Sequence, residues 1–467
     1  MKKAGILVLA IVAFISCQQE KKETESKKDQ EIKSFSSEMM ENAIIYEANI
    51  RQYSSEGTFN EFTKDIPELK KLGVKIIWLM PVFPISETKR KATGGGFASL
   101  IEDEEERKKA LGSYYAVTDF TKINPEFGTM EDFRKLVKEA HVNGIYVILD
   151  WVPNHTGWDH TWLKTNPEYY TQNDKGEVIH PEGTDWTDVA DLNYENKDMR
   201  KEMIADMMYW ITKEGVDGFR CDVAGSVPHN FWEEAIPQLR AQKDIFMLAE
   251  AWEPELLKEG LFDMAYGWDR HHTMNDMAKG KDAVKKWNEN VEKDDKRYAA
   301  DDVLMTFVTN HDENSWNGTI SERMGEASEA LTVLSYVAPG MPLIYSGQEY
   351  NLNHRLKFFE KDSIPKQKGS MWNLLEKLGK LKNTNPAIHG GINAATYKSV
   401  NVTGNVMLIE RNKDKKSLIY IANFSDKPAK VSLPHEGVFS DYLNDVKLEL
   451  KGNEITLKGW EYKILIN

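Results

Sequence analysis

From about Ala43 to Lys382 the chain repeats one unit, a short apolar run followed by a longer amphipathic stretch. The runs are "AIIYEANI", "VKIIWLM", "IYVILDWV", "GFRCDVA", "IFMLAEAW", "FDMAYG", "VLMTFVTN" and "PLIYSGQEY", most of them separated by helical patterns such as "MEDFRKLVKEAHVNG". Parallel strands need a crossover of a dozen or more residues, and an amphipathic helix supplies it. Eight such units predict an α/β fold, a (β/α)8 barrel of parallel strands, with a doubly wound sheet as the alternative. In a barrel the chemistry is built at the C-terminal ends of the strands, so residues there carry the functional reading.

After "NTNPAIHGG" the helical pattern stops. "TYKSV", "VMLIERN", "SLIYIANF", "AKVSL", "KLELK" and "YKILIN" alternate between turn residues and predict a small C-terminal antiparallel β-sandwich with a structural role. The expected division is a signal over 1–17, a tether over 18–37, the barrel over 38–385 and the sandwich over 386–467. Two connections exceed the usual βα length: Phe83 to Gly112, holding "TGGG" and "EDEEERKK", and a short insert of about 156–190 after strand three. Both follow strand C-terminal ends and are expected to wall or cover the site. "EDEEERKK" itself reads as a solvated helix face.

The opening "MKKAGILVLAIVAFISC" is basic and then apolar, too short to span a bilayer, and ends in small residues before Cys17. It resembles a bacterial lipoprotein signal, with Cys17 as the lipidated residue; an ordinary cleaved signal is the alternative. With Cys17 lipidated, Cys221 is the one remaining cysteine and no intrachain disulfide can form. "QQEKKETESKKDQEIK" cannot bury anything and reads as a solvated tether. The expectation is an exported lipoprotein of the cell envelope that meets the membrane through its anchor alone. A net charge of −14 argues against nucleic acid, which needs a basic surface, and favours a neutral ligand.

"GFRCDVA" puts Arg220 and Asp222 two apart in an apolar strand, on one face, with Phe219 and Cys221 on the other. Read alone, the pair is either structural or catalytic; the guanidinium is expected to lower the pKa of Asp222, as suits a nucleophile. Strand three ends in Asp150, Asn154 and His155, strand five in Glu250, and strand seven in His311 and Asp312. Glu250 stands between Ala249 and Ala251, a setting that penalises its charge and raises its pKa, as suits a proton donor. An ionised Asp222 beside a protonated Glu250 suits retaining glycoside hydrolysis.

"DWVPNH", "GFRCD", "LAEAW" and "TNHDE", in this order, resemble the four signature regions of the α-amylase family of glycoside hydrolases, and "VADLN" is similar to its fifth. The resemblance runs over nearly the whole chain from about Ser37. It implies Asp222 as nucleophile, Glu250 as general acid/base and Asp312 as the carboxylate that stabilises the distorted sugar. It also implies that His155, Arg220 and His311 hold that sugar, that Asp150 supports the arginine, and that Tyr115, in "SYYAVTDF", stacks beneath it. The family's usual glycine before that tyrosine is Tyr114 here. Trp252 is the candidate for a leaving-group subsite, or else a core or rim tryptophan.

The same resemblance implies an α-glucan or maltooligosaccharide substrate and no required cofactor. Calcium-dependent relatives bind their ion through the asparagine matching Asn154 and an acid where this chain has Asn193, and calcium favours charged oxygens, so the Ca2+ expectation at Asn154 is weakened. "CDVAG" is closer to neopullulanase and cyclodextrin-degrading members than to amylases with D-x-x-K-H, and the short insert suits soluble oligosaccharides. Branch-cleaving and transferring members share the catalytic groups, leaving α-1,6 action and transglycosylation open. A binding-only relative would lack one or more of the three carboxylates, and all three are present. No G-x-S-x-G, H-E-x-x-H or phosphate-binding loop offers a rival chemistry.

Overall fold

The computed structural model describes residues 35–466 except 281, 402–403, 434 and 451–453. The expected signal, the tether up to residue 34 and Cys17 lie outside the described residues. The eight apolar runs form the strands β1 (Ile45–Ala48), β2 (Ile76–Leu79), β3 (Tyr146–Trp151), β4 (Gly218–Cys221), β5 (Phe246–Ala249), β6 (Met264–Tyr266), β7 (Val303–Thr306) and β8 (Met341–Tyr345). Each pairs in parallel with its sequence neighbours, and β1 closes on β8 into a barrel. This is the (β/α)8 architecture rather than the doubly wound sheet.

Alternation along the strands sorts the core into two layers. Ile45, Trp78, Ile148, Leu248 and Met305 fill the barrel, whereas Ile77, Val147, Phe219, Met247 and Leu304 face the helices. Gly218 shows how tightly β4 enters this arrangement: its φ is +147°, and a Cβ there would lie 1.9 Å from the Phe246 carbonyl oxygen. No other residue fits. The β3–β4 register sets Asp150 beside Arg220 at the upper end of the barrel.

Both long connections are where the sequence puts them. The second is pinned at its base by an antiparallel ladder of His155–Gly157 with Val189–Asp191. "EDEEERKK" forms the exposed helix Glu104–Lys109, capped by Asp103. The C-terminal part is antiparallel, a six-stranded sheet with a two-stranded one beside it. It contains two strands that the sequence reading passed over, Gly437–Asp441 and Glu454–Leu457, both short. It docks on the helix Ser328–Val337, where the Tyr420 hydroxyl donates to the Ala330 carbonyl and the Arg411 guanidinium is buried against the helix end.

Candidate active site

At the C-terminal ends of the strands lies a cavity of about 730 Å³. Tyr115, His155, Asp222, Glu250, His311 and Asp312 all line it. Six residues scattered over nearly 200 positions of sequence therefore meet in one place. His155, Asp222 and Glu250 sit just beyond the ends of β3, β4 and β5, His311 and Asp312 together follow β7, and Tyr115 is on the loop after β2, as the barrel geometry requires.

Arg220 organises the floor. Its Nη1 donates to Asp150 Oδ1 and to Asp222 Oδ1, each at 2.8 Å, its Nη2 pairs with Glu250 Oε2 at 2.8 Å, and its Nε donates to the Tyr266 hydroxyl at 3.2 Å. Glu250 Oε2 also accepts the Val223 backbone N–H at 2.8 Å. Val223 has φ +38°, a left-handed conformation rare for a β-branched residue. That turn directs the N–H after Asp222 onto the Glu250 carboxylate, so local strain links the two acids.

One guanidinium cannot neutralise three buried carboxylates, and the balance shows in their protonation. Burial pushes Glu250 up to about 7 and Asp222 and Asp150 up to about 6, against the opposing pull of Arg220. The rise expected for Glu250 is present. The lowering expected for Asp222 is not: burial and the charges of Asp150 and Asp312 outweigh the guanidinium. The order of the pair, Asp222 below Glu250, is the one the chemistry needs.

The two histidines differ. His155 is buried against Trp186, and burial lowers its pKa to about 4, so it is neutral. For His311 burial also works against the charge, but Asp312 and Glu47 prevail and raise it to about 9. Its Nδ1 is 2.5 Å from Glu47 Oε1 and its Nε2 is 2.9 Å from the Tyr115 hydroxyl. That hydroxyl donates to Asp150 Oδ2 at 3.1 Å, which the Trp78 indole N–H also reaches at 3.1 Å. A continuous chain therefore runs from Glu47 through His311 and Tyr115 to Asp150 and Arg220.

Glu47 is the residue that sequence reasoning missed. It stands in the apolar run "AIIYEANI", fully buried at the interior of β1, which is the same signal that singled out Glu250. Glu47→Gln keeps the shape and removes the charge facing His311. The His311 imidazole is then expected to titrate about one unit or more lower, read by imidazole NMR, and an unmoved titration would show that Asp312 alone sets it.

Trp252 is not brought to the site. It stacks on Trp268 at 5.7 Å, is 42% exposed and does not line the cavity, because its carbonyl is held outward by Arg297 and Tyr298. Trp252 therefore stands at the rim beside Glu250, outside the cavity lining. Tyr114 also lies outside the cavity lining, buried with its hydroxyl on Asn49 Oδ1 and its ring edge against Phe358. The aromatic residues that do line the cavity beyond Tyr115 are Trp186, Trp316, Phe358 and Phe359.

The calcium expectation at Asn154 finds no matching donor set. The Asn154 side-chain nitrogen is 3.3 Å from His155 Nδ1, the Asn154 backbone carbonyl accepts the Leu192 N–H, and Asn193 Oδ1 accepts the Glu195 N–H. Among the described residues no three His, Cys, Asp or Glu side chains converge as a metal site. Cys221 is buried on the helix-facing side of β4 and is a free thiol.

Comparison with known proteins follows the same lines. The α-amylase catalytic-domain profile matches residues 23–177 and 182–385. An α-amylase from Lactobacillus plantarum superposes with a TM-score of 0.80 at 29% identity, over 92% of this chain and 100% of that one. A maltogenic α-amylase from Thermotoga neapolitana gives 0.79 at 28% identity, over 91% and 98%. The α-amylase MalA of Haloarcula japonica is 24% identical over 84% of this chain, and the chain spans 57% of that relative's length.

Proposed function

The chain belongs to the α-amylase family, and from that premise we propose that it hydrolyses α-glucosidic bonds, mainly α-1,4, in starch-derived maltooligosaccharides with retention of configuration. The observation that carries the reading is the Arg220 guanidinium gripping Asp222 and Glu250 through its two terminal nitrogens at the cavity floor. Acids held that way are close neighbours, and retaining hydrolysis uses carboxyl groups about 5–5.5 Å apart.

In this mechanism Asp222 Oδ1 stays on Arg220, leaving Oδ2 to attack the anomeric carbon. Glu250 is engaged through Oε2, so Oε1 carries the proton to the departing glycosidic oxygen. The C–O bond breaks as the Asp222 ester forms. Glu250, now ionised, takes a proton from water, whose oxygen displaces Asp222 from the opposite face; the proton returns to Glu250 and Asp222 leaves as carboxylate. Asp312 and the His311 imidazolium bracket the sugar carrying the developing charge, while neutral His155 offers a hydrogen bond without adding charge.

Because the reaction needs Asp222 ionised and Glu250 protonated, kcat/KM should peak between pH 6 and 7. It falls below about 6 as the nucleophile gains a proton and above about 7 as the acid loses its own, both limbs belonging to the coupled pair. A pH–rate profile flat up to 9 would contradict this assignment. The direct test of function is product analysis on soluble starch, maltoheptaose, a cyclodextrin and pullulan, with the anomer followed by NMR. First-formed α-anomers support the proposal. First-formed β-anomers would remove the retaining mechanism, and no release from any α-glucan would restore the binding-protein reading.

The proposal extends to export: the basic and then apolar run ending at Cys17 supports a lipid-anchored enzyme of the cell envelope. Among the described residues no helix is long and apolar enough to cross a membrane. No metal enters the mechanism.

A further inference from the structure

The cavity is walled by loops on one side. Segment 91–95 of the loop after β2 meets the insert through the Lys91 ammonium, which donates to the Asp185 carbonyl at 2.7 Å and lies 3.5 Å from Asp188. The same segment meets the loop after β8 through the Thr93 hydroxyl, which donates to Glu360 Oε1 at 2.6 Å. The Leu111 N–H donates to the Phe359 carbonyl at 2.7 Å. Three loops from different parts of the barrel are thus joined edge to edge.

The wall is also anchored below. Gln52 Nε2 donates to the Lys357 and Glu360 carbonyls at 2.6 and 2.8 Å. The Lys361 ammonium donates to the carbonyls of Arg51, Ser54 and Asp362, so one cation ties the loop after β1 to the loop after β8. Tyr114, replacing the small residue expected there, props Phe358 edge-on at 5.4 Å. Phe358 lies parallel to the Tyr115 ring at 6.4 Å and 7°, and Trp316 packs on it at 5.1 Å. Flat sugar faces stack on such rings.

On the other side the lining is formed by Asp222, Val223 and Glu250, at the ends of β4 and β5, and the loop residue Trp252 that follows turns outward. Glu250 protonates the leaving oxygen, so the leaving half of the substrate departs on this side. The retained half must run the other way, over Tyr115 and Phe358 toward the wall.

We propose that the three joined loops close the non-reducing end of the cleft, so that the enzyme trims maltooligosaccharides from their non-reducing ends instead of cutting inside long chains. This rests on the hydrolase reading above, and its test separates the two. The full-length protein would be given maltoheptaose and the same heptasaccharide carrying a 4,6-O-ethylidene block on its non-reducing sugar, alongside amylose scored for iodine colour against reducing ends. A closed end should slow the blocked substrate on the order of a hundredfold, since atoms added to the last sugar would meet the wall. Iodine colour should fade slowly relative to reducing-end release.

Glu360→Gln, and independently Thr93→Val should the first variant not fold, ought to raise the blocked-to-free rate ratio. Equal rates on both heptasaccharides with rapid loss of iodine colour overturn the closed end and leave the hydrolase standing. Cleavage of neither substrate nor amylose overturns the hydrolase, and this inference with it.

Discussion

Asp222→Asn should lower kcat on maltooligosaccharides by on the order of 10⁴–10⁶-fold while leaving the fold intact. The amide has the same shape and still meets Arg220, which keeps its pairs with Asp150 and Glu250. What is lost is the only group positioned to form the covalent ester. The charge of Asp222 also helps hold Glu250 protonated, so the Glu250 pKa should fall from about 7 in the variant. A smaller variant gives the sharper test: Asp222→Gly with added azide should regain cleavage of an activated α-glucosyl substrate and yield the β-configured azide, since the small anion attacks from the vacated face. Residual activity above about one per cent, or an α-configured azide, would remove Asp222 from its role. Glu250→Gln behaves differently under the same reading, losing natural substrates while still forming the ester from an activated leaving group that needs no proton.

Much of this was legible in the chain because a strand's side-chain period is two. Once "GFRCDVA" is placed as a barrel strand, Arg220 and Asp222 must share the interior face, and the β3 register brings Asp150 alongside. The protonation state was less legible. Two residues in sequence show one cation beside one anion, whereas the fold adds Asp150, Asp312 and complete burial, and the sign of the Asp222 shift reverses. The direction of Trp252 was not legible, because adjacency to Glu250 says nothing about it: the chain turns after the strand and the indole stacks on Trp268. The wall was legible only as loop length. Its contacts join positions far apart in the chain, 94 for Lys91 with Asp185 and 267 for Thr93 with Glu360, and no local pattern announces them.

Replacing Arg220 should cost both activity and stability, and the pH dependence distinguishes its electrostatic role from mere packing. Arg220→Met fills much of the same volume but leaves Asp150, Asp222 and Glu250 buried around an apolar side chain. Breaking a buried ion pair by removing one partner costs about 3–5 kcal/mol, chiefly because the remaining charges are uncompensated. In the parent these carboxyls already have folded-state values of about 6 to 7, above their ordinary range. Without the guanidinium they rise further. The folded variant then holds protons that the unfolded chain releases, so its stability is present at low pH and drains away as pH climbs through the raised folded-state values. The Tm deficit against the parent should therefore be large at pH 7.5 and smaller at pH 5. An equal deficit at both values would mean that Arg220 acts by packing alone. Activity should be lost at every pH, since Asp222 can be ionised only where the fold is least stable, and no single proton remains directed to Glu250.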